Sequence, residues 1–476
     1  MTKNNTENKI NPARVKISFL GAAQEVTGSN YLIECSSDAR SGQAMKLLVD
    51  CGLFQGSKIS EDKNNEPFVY DPKSIKALIV THAHLDHIGR IPKLVHDGFK
   101  GKIISTFPTK DLSEIMLLDS LGVLEKEAKR SGKKLVYDEK DVHQAMSQWQ
   151  AVDYSENFTV GDFKITLKDA GHILGSAMVE MIYSSTSSGQ KKIVFSGDLG
   201  NPLTPLLPDP QPIKDADYLI IESTYGDREH EGRGGSSLKL ERVIEDTVKK
   251  HGVLMIPAFS LERTQKILFE INNLVENDRI ARIPIFLDSP LAIKATSVYK
   301  KYQKYFNQEA KEIIRGGDDL FNFPGLKMTL STEESMAINN APEPKIIIAG
   351  SGMSNGGRII HHERRYLGSS KNTLLIVSYQ VAGSLGRRLE EGAKTVNIFG
   401  DIIPVSARIE NILGFSCHPD TNELYDFVKE TSDTVKKVFV THGEMKSALF
   451  LTQKLRDNLC VNAVCPKFGD SHVLNF

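Results

Sequence analysis

Six apolar runs in this 476-residue chain each stop with an ionisable residue standing close beyond their end. Leu47-Leu-Val49 is followed by Asp50-Cys51-Gly52, and Ala77-Leu-Ile-Val80 by a cluster that begins at His82. Phe163-Lys-Ile-Thr-Leu-Lys168 leads within a few residues to His172, and Lys192-Ile-Val-Phe195 to Asp198. Tyr218-Leu-Ile-Ile221 leads to Glu222, and Val438-Phe-Val440 to His442. Their length and β-branched content mark strands, most of them buried, and glycines nearby let the backbone turn. One polar residue past a strand is ordinary turn chemistry. Six in one chain demand more: the strand ends must converge along one rim of a sheet sandwich.

The densest of these ends is His82-Ala-His84-Leu-Asp86-His87, three imidazoles and a carboxylate within six residues. Imidazole nitrogen and carboxylate oxygen are the donors zinc takes in open, catalytic sites. His82 and His84, two apart on an extended turn, can converge on one ion. Asp86 and His87 are then left to reach a second. The pattern predicts a metal site with two ions.

Spacing also lays out the domains. From His82 to Asp198 the ionisable residues come at short intervals, but His442 lies 244 residues beyond Asp198, far more than a loop requires. A unit the size of a domain is inserted before the first fold is completed. Inside the gap, residues 253–256, 283–287, 345–348 and 373–377 have the composition of buried strands. Residues 261–274, 291–314 and 358–367 carry helical spacing. Such alternation predicts a parallel sheet covered on both faces. The Ser-rich stretch 184–189 reads as a hairpin turn.

Gly350-Ser-Gly-Met-Ser-Asn-Gly-Gly357 follows one of these strands and opens a helix, so its backbone amides can cradle an anion, with Gly352 and Gly356 as candidate contacts. The glycine spacing departs from G-x-G-x-x-G. The next strand also ends at Ser378-Tyr379-Gln380, without an acidic residue for a ribose. A backbone phosphate is the better ligand. Arg263, after Pro257-Ala-Phe-Ser260, and Arg387 of Gly386-Arg387-Arg388 are further phosphate candidates. With a net charge of −1, nucleic-acid contacts must come from such local patches.

No apolar stretch approaches the ~20 residues of a membrane helix. The polar start, Met1-Thr-Lys-Asn-Asn-Thr-Glu-Asn-Lys, has no signal-peptide character and is expected to be disordered. Five cysteines without a Cys-x-x-Cys pair fit a reducing cytoplasm.

The set Asp50, His82-x-His84-x-Asp86-His87, His172 and Asp198 resembles the motif series of the metallo-β-lactamase superfamily. Glu222 in Glu-Ser-Thr-Tyr-Gly, His418 in Phe415-Ser-Cys-His-Pro-Asp420 and His442 in Thr-His-Gly-Glu match three further motifs of its β-CASP branch, a group of nucleic-acid-cutting enzymes. The resemblance runs from about Val15 to the C-terminus. Cys417 departs from it mildly, standing where relatives often carry a small residue such as Ala.

The resemblance implies an α/β fold, a metallo-β-lactamase αββα sandwich with an inserted α/β (β-CASP) domain clamped over the metal rim. Domains then fall at 1–14 (tail), 15–215 (first part of the lactamase domain), 216–400 (insert) and 401–476 (completing part). By resemblance, His82, His84 and His172 hold one zinc, Asp86, His87 and His442 hold another, and Asp198 bridges the two Zn2+. Asp50, Asp86, Glu222 and His418 are the implied catalytic residues. A metal-bridged hydroxide would attack the phosphodiester, Asp50 would orient a ligand or the water, and Glu222 would keep His418 positive for protonating the leaving oxygen.

A zinc-dependent ribonuclease acting on single-stranded RNA, with endonucleolytic cutting favoured, is the activity this implies. A DNA nuclease of the Artemis type is the nearest rival, but that subgroup replaces the last His with an apolar residue. A small-molecule metallo-hydrolase has no use for a domain-sized lid, and a non-catalytic scaffold subunit should have lost ligands. His442 and the complete ligand set favour RNA. Single-stranded RNA is the expected partner and a membrane is not; a homodimer is left open.

Overall fold

The computed structural model describes residues 14–35, 44–56, 62–132, 134–185, 189–202, 204–229, 233–381 and 383–475. Two seven-stranded sheets pack face to face. The first runs, in spatial order, Ser471–Asn475, Arg14–Phe19, Tyr31–Cys35, Met45–Val49, Ile75–Ile79, Lys102–Thr106 and Trp149–Val152. The second runs Ala463–Val464, Lys437–Val440, Tyr218–Ile221, Gly189–Phe195, Ala177–Ser185, Phe163–Asp169 and Asn157–Val160.

Side-chain alternation decides what each sheet buries. Ile17, Val49 and Ile79 of the first sheet meet Ile165, Met181 and Phe195 of the second in one core. Their neighbours Leu48 and Leu78 face the other way, onto Ile91 and Leu94 of helix Ile91–His96 and Leu112 of helix Phe107–Ser131. Behind the second sheet, Val194, Leu219 and Val438 pack against Leu424 and Val428 of helix Thr421–Lys429 and Ala448 and Leu451 of helix Met445–Leu459. The layers are therefore helix, sheet, sheet, helix, the expected αββα sandwich. Each aliphatic side chain so buried contributes roughly 1.5–3 kcal/mol. That burial fixes strand register, and with it the positions of the residues at the strand ends.

A third sheet, of six strands, forms the inserted unit in the order Leu326–Met328, Ile285–Leu287, Lys345–Ala349, Val253–Pro257, Thr373–Ile376 and Arg408–Asn411. Every pairing in it is parallel. Leu254, Ile256, Ile346 and Ile348 enter one core, while Val253, Met255, Ile347 and Leu374 enter another, so both faces are covered. The first of these cores is continuous with the helical layer outside Leu48 and Leu78. The insert is packed against the sandwich, not merely tethered to it.

Several expectations change. Tyr218–Ile221, which a boundary at 216 assigns to the insert, lies within the second sandwich sheet, parallel to Gly189–Phe195 and Lys437–Val440. Arg408–Asn411, assigned after the insert by a boundary at 401, pairs instead with Thr373–Ile376 in the insert's sheet. The strand expected over 283–287 shortens to Ile285–Leu287. The helical spacing over 291–314 is broken into Pro290–Lys301 and Gln308–Arg315, because the Asn307 side chain accepts from Ala310 N and starts a new helix.

That break is where the insert docks. Lys301 Nζ and Tyr302 Oη donate to Asp111 at 2.6 and 2.9 Å, and Lys304 Nζ and Tyr305 Oη donate to Asp153 at 2.7 and 2.8 Å. Asn307 N donates to Leu206 O at 2.8 Å. Of the expected tail, residues 1–13 lie outside the described residues, as does the centre of the Ser-rich turn, 186–188. Among the described residues no helix is long and apolar enough to cross a membrane.

Candidate active site

The strand ends meet through unusual local backbone. Asp50 and His442 adopt left-handed conformations, with φ of 57° and 47°. Such geometry costs a non-glycine residue roughly 1–3 kcal/mol and persists only where its surroundings hold it. At Asp50 the hold is threefold: Oδ1 accepts from Thr81 N at 2.8 Å, and Oδ2 from Thr81 Oγ1 at 2.8 Å and His87 Nδ1 at 2.7 Å. His442 N donates to Ala22 O at 2.7 Å. Gly52 is required for a different reason. A Cβ there would fall 1.6 Å from Asp86 O, so glycine alone lets the histidine-rich turn fold back onto the strand end.

Two clusters of donor atoms result, each within 4.8 Å: His82, His84, His172 and Asp198 in one, Asp86, His87 and His442 in the other. In the first, His84 Nδ1 lies 3.1 Å from His82 Nε2 and 3.3 Å from His172 Nε2. Asp198 stands between the clusters and divides its two oxygens. Oδ2 is 3.4 Å from His82 Nε2 and 3.6 Å from His172 Nε2, while Oδ1 is 3.3 Å from both His87 Nε2 and His442 Nε2. Asp86 Oδ2 lies 3.8 Å from the same two nitrogens of the second cluster.

A test of fit for metal comes from charge and from hydrogen bonding. Asp50, Asp86 and Asp198 crowd together, and among the described residues no Lys or Arg pairs with any of them. Asp198 Oδ1 is buried without a hydrogen-bond partner. Burial pushes His82 and His172 well below the ordinary histidine range, and His84 down to about 4, which favours the neutral imidazole a metal requires. Burial acts the same way on His87, but the Asp198, Asp50 and Asp86 charges outweigh it and push that ring up. In the first cluster, a buried carboxylate facing neutral imidazoles fits a divalent cation.

Beside the clusters, His418 Nδ1 donates to Glu222 at 3.0 Å. Glu222 is itself fixed, accepting from Leu199 N at 2.7 Å and Thr224 N at 3.4 Å. Burial pulls the His418 pKa down, but the charge and hydrogen bond of Glu222 prevail and carry it up to about 9. The His418 ring packs 4.5 Å from that of His172. Cys417, the residue that departs from the pattern, finds a partner in the insert: buried Lys266 Nζ donates to its Sγ at 3.5 Å. Its carbonyl accepts from His172 Nδ1 at 3.2 Å.

The four phosphate candidates fare differently. Arg263 is buried, yet its Nε and Nη1 have no hydrogen-bond partner. Gly352 lies under the Phe259 ring, and a Cβ at Gly356 would meet nothing within 4 Å. Several amides of their loop are already spent: Ser351 N donates to Gly356 O at 3.2 Å and Ser354 N to Ser351 O at 3.1 Å. That leaves the loop a weaker anion cradle than its sequence implies. Arg387 is turned to its own helix, with Nε donating to Glu391 at 2.8 Å.

Two hydroxyls in the site carry no signal in the sequence. Thr81 Oγ1 donates to Asp50 and lies 3.1 Å from His82 Nδ1. Ser29 Oγ lies 3.2 Å from His442 Nδ1 and 3.4 Å from His87 Nε2. Ser29 sits in Gly28-Ser29-Asn30, which has ordinary turn composition.

Comparison with known proteins adds independent findings. Residues 41–198 match the metallo-beta-lactamase superfamily domain and 264–389 the Beta-Casp domain. Residues 402–466 match the Zn-dependent metallo-hydrolase RNA specificity domain. The chain is 36% identical over 442 residues to a ribonuclease of Thermus thermophilus, covering 93% of this chain and 96% of that one. It is 33% identical to an RNase J-like protein of Methanocaldococcus jannaschii, covering 96% and 99%. It is 30% identical to the transcription termination factor FttA of Methanosarcina mazei, covering 94% and 69%. A solved structure from Enterococcus faecalis, of a protein of unknown function, is similar in fold with a TM-score of 0.55 at 12% identity, covering 97% of this chain and all of that one.

Proposed function

The chain belongs to the β-CASP branch of the metallo-β-lactamase superfamily, metal-dependent hydrolases with nuclease members, and from that premise we propose that it cuts single-stranded RNA internally with two zinc ions. The division of Asp198 between two donor clusters carries this reading. His82, His84 and His172 would hold one ion, Asp86, His87 and His442 the other, with Asp198 between them. The insert is taken to run beyond Ile221 and through Asn411, following sheet membership. Five free cysteines support a reducing cytoplasm as its setting.

When bound, the ions supply Lewis acidity to the attacking water and to the scissile phosphate. The remaining steps belong to the protein. Asp50 fixes the His87 ring by accepting from its Nδ1, so that Nε2 faces Asp198. Glu222 holds the other end of the acid: with Nδ1 committed to the carboxylate, an imidazolium at His418 offers its second N–H to the leaving oxygen. Arg263 holds two unpaired N–H donors on the insert side, buried so that a backbone phosphate would reach them only if the residues covering them moved.

Cutting assays on matched substrates test the proposal. Zinc-loaded protein should cleave a 5′-labelled unstructured RNA internally and spare double-stranded RNA and DNA. Asp86→Asn should remove activity, and His442→Ala should remove it while one zinc stays bound. Equal cleavage of single-stranded DNA of the same sequence would refute the RNA assignment. Hydrolysis of a lactam or thioester with neither nucleic acid cut would overturn the nuclease reading.

A further inference from the structure

Val253–Pro257, Lys345–Ala349 and Thr373–Ile376 run parallel, so the loops that follow them emerge at one edge of the insert's sheet. Ligands of open parallel sheets bind at that edge. Two aromatic rings stand out there. Phe259 and Tyr379 remain 40% and 37% exposed, although both belong to loops that are otherwise firmly held. The Phe259 ring lies directly over Gly352, where a Cβ would come within 2.8 Å of it, and Phe259 O accepts from Thr264 N at 3.2 Å. On either side of Tyr379, Ser378 Oγ and Gln380 Nε2 donate to the carbonyl of the same Gly352, at 3.3 and 3.0 Å. The segments that carry the two rings therefore both meet at Gly352.

Arg228 ties this surface to the catalytic centre. It follows the Glu222 motif just past the sandwich strand Tyr218–Ile221, and its guanidinium lies 5.7 Å from the Tyr225 ring and 5.9 Å from the Tyr379 ring. Tyr225 in turn stands 6.1 Å from His418. A chain whose cut phosphate sits at His418 would thus pass its neighbouring nucleotides over Tyr379 and Phe259.

We propose that Phe259 and Tyr379 form a stacking floor for unpaired nucleobases of the RNA beside the cut, with Arg228 holding Tyr379 at the rim. This rests on the ribonuclease reading above and adds what selects the substrate. Every base has a π-face, so such a floor accepts any sequence. Base edges go unread nearby, because Gln380, the adjacent amide, is buried and its Nε2 is spent on Gly352 O and Ser378 O. A base in a duplex is already stacked and paired, so it cannot lie on the floor. Selection for single strands then comes from the aromatic surface.

Steady-state cleavage of an unstructured RNA by the zinc-loaded full-length protein tests the floor. Phe259→Ala and Tyr379→Ala should each raise KM on the order of tenfold, with the loss in KM and not in kcat, and Tyr379→Phe should restore the wild-type value. Binding of a 2-aminopurine-labelled RNA to the metal-free protein gives a readout independent of catalysis: the probe should be quenched by wild type and not by the alanine variants. An abasic nucleotide at the labelled position should weaken wild-type binding to the level of the variants and leave theirs unchanged. Wild-type KM in both alanine variants, or an equal loss on intact and abasic RNA, would overturn the floor while RNA cutting persists. A wild-type protein that cuts no RNA would instead refute the reading beneath it.

Discussion

Asp50 Oδ2 lies 2.7 Å from His87 Nδ1, and the contact determines which nitrogen of that ring faces Asp198. Three donors meet the Asp50 carboxylate, and it is fully buried, so it cannot turn away. Asp50→Asn should therefore weaken zinc at the second cluster about 10–100-fold and spare the first. Competition with a graded series of chelators measures this. Two sites of unchanged affinity would show that Asp50 only shapes the turn.

Stoichiometry is the plainest check on the centre. Seven donors in two groups exceed one tetrahedral ion, so protein purified without chelator should carry about two zinc ions per chain. Stripping them should lower the melting temperature, because binding free energy at such a site is partly folding free energy. A measured ratio near one would eliminate the two-ion scheme.

His418→Ala should lower turnover on the order of 10²–10⁴-fold with the zinc content intact, as expected for loss of a general acid. Glu222→Gln should move activity the same way, since the imidazole would lose the carboxylate that holds it positive. Loss of metal in the His418 variant would reassign that residue.

Glu363, behind the Gly350–Gly357 loop, provides a pH test away from the metals. Burial pushes its carboxyl up from 4.5 to about 8 against the opposing hydrogen bond from Ser354, and its Oε2 has no partner. Between about 4.5 and 8 the folded chain keeps a proton that the unfolded chain has released, so this group makes stability fall as pH rises through that window. Glu363→Gln cannot ionise. Its melting temperature should gain on wild type as pH rises from 5 to 8, and parallel melting curves would refute the buried neutral acid.

The sandwich and the donor set were legible in the sequence because both are written locally. An apolar run followed by Asp or His announces a strand and its end together, and the pattern at Asp50, His82 or His442 needs no distant partner to be noticed. Hydroxyl support was not legible. Ser29 reaches His442 across 413 residues, and nothing about a serine in a turn foretells that. The helix over 291–314 misled because apolar spacing continued through a segment whose Tyr302, Lys304 and Asn307 are committed to the other domain. Boundary strands misled for a related reason. Tyr218–Ile221 and Arg408–Asn411 both look like strands, and only their partners reveal the sheet each one joins.

The second donor cluster depends on a residue that arrives late. All of the first cluster lies within residues 82–198, whereas His442 follows the entire insert, two residues past the end of the strand Lys437–Val440 that pairs with Tyr218–Ile221. A ribosome releases these segments in order. For most of its synthesis a nascent chain thus holds half a centre, and on the two-ion scheme it cannot cut the message from which it is being read. On that scheme, entry of one strand into a nearly finished sheet completes the second donor cluster, and that step comes only after most of the chain has been made.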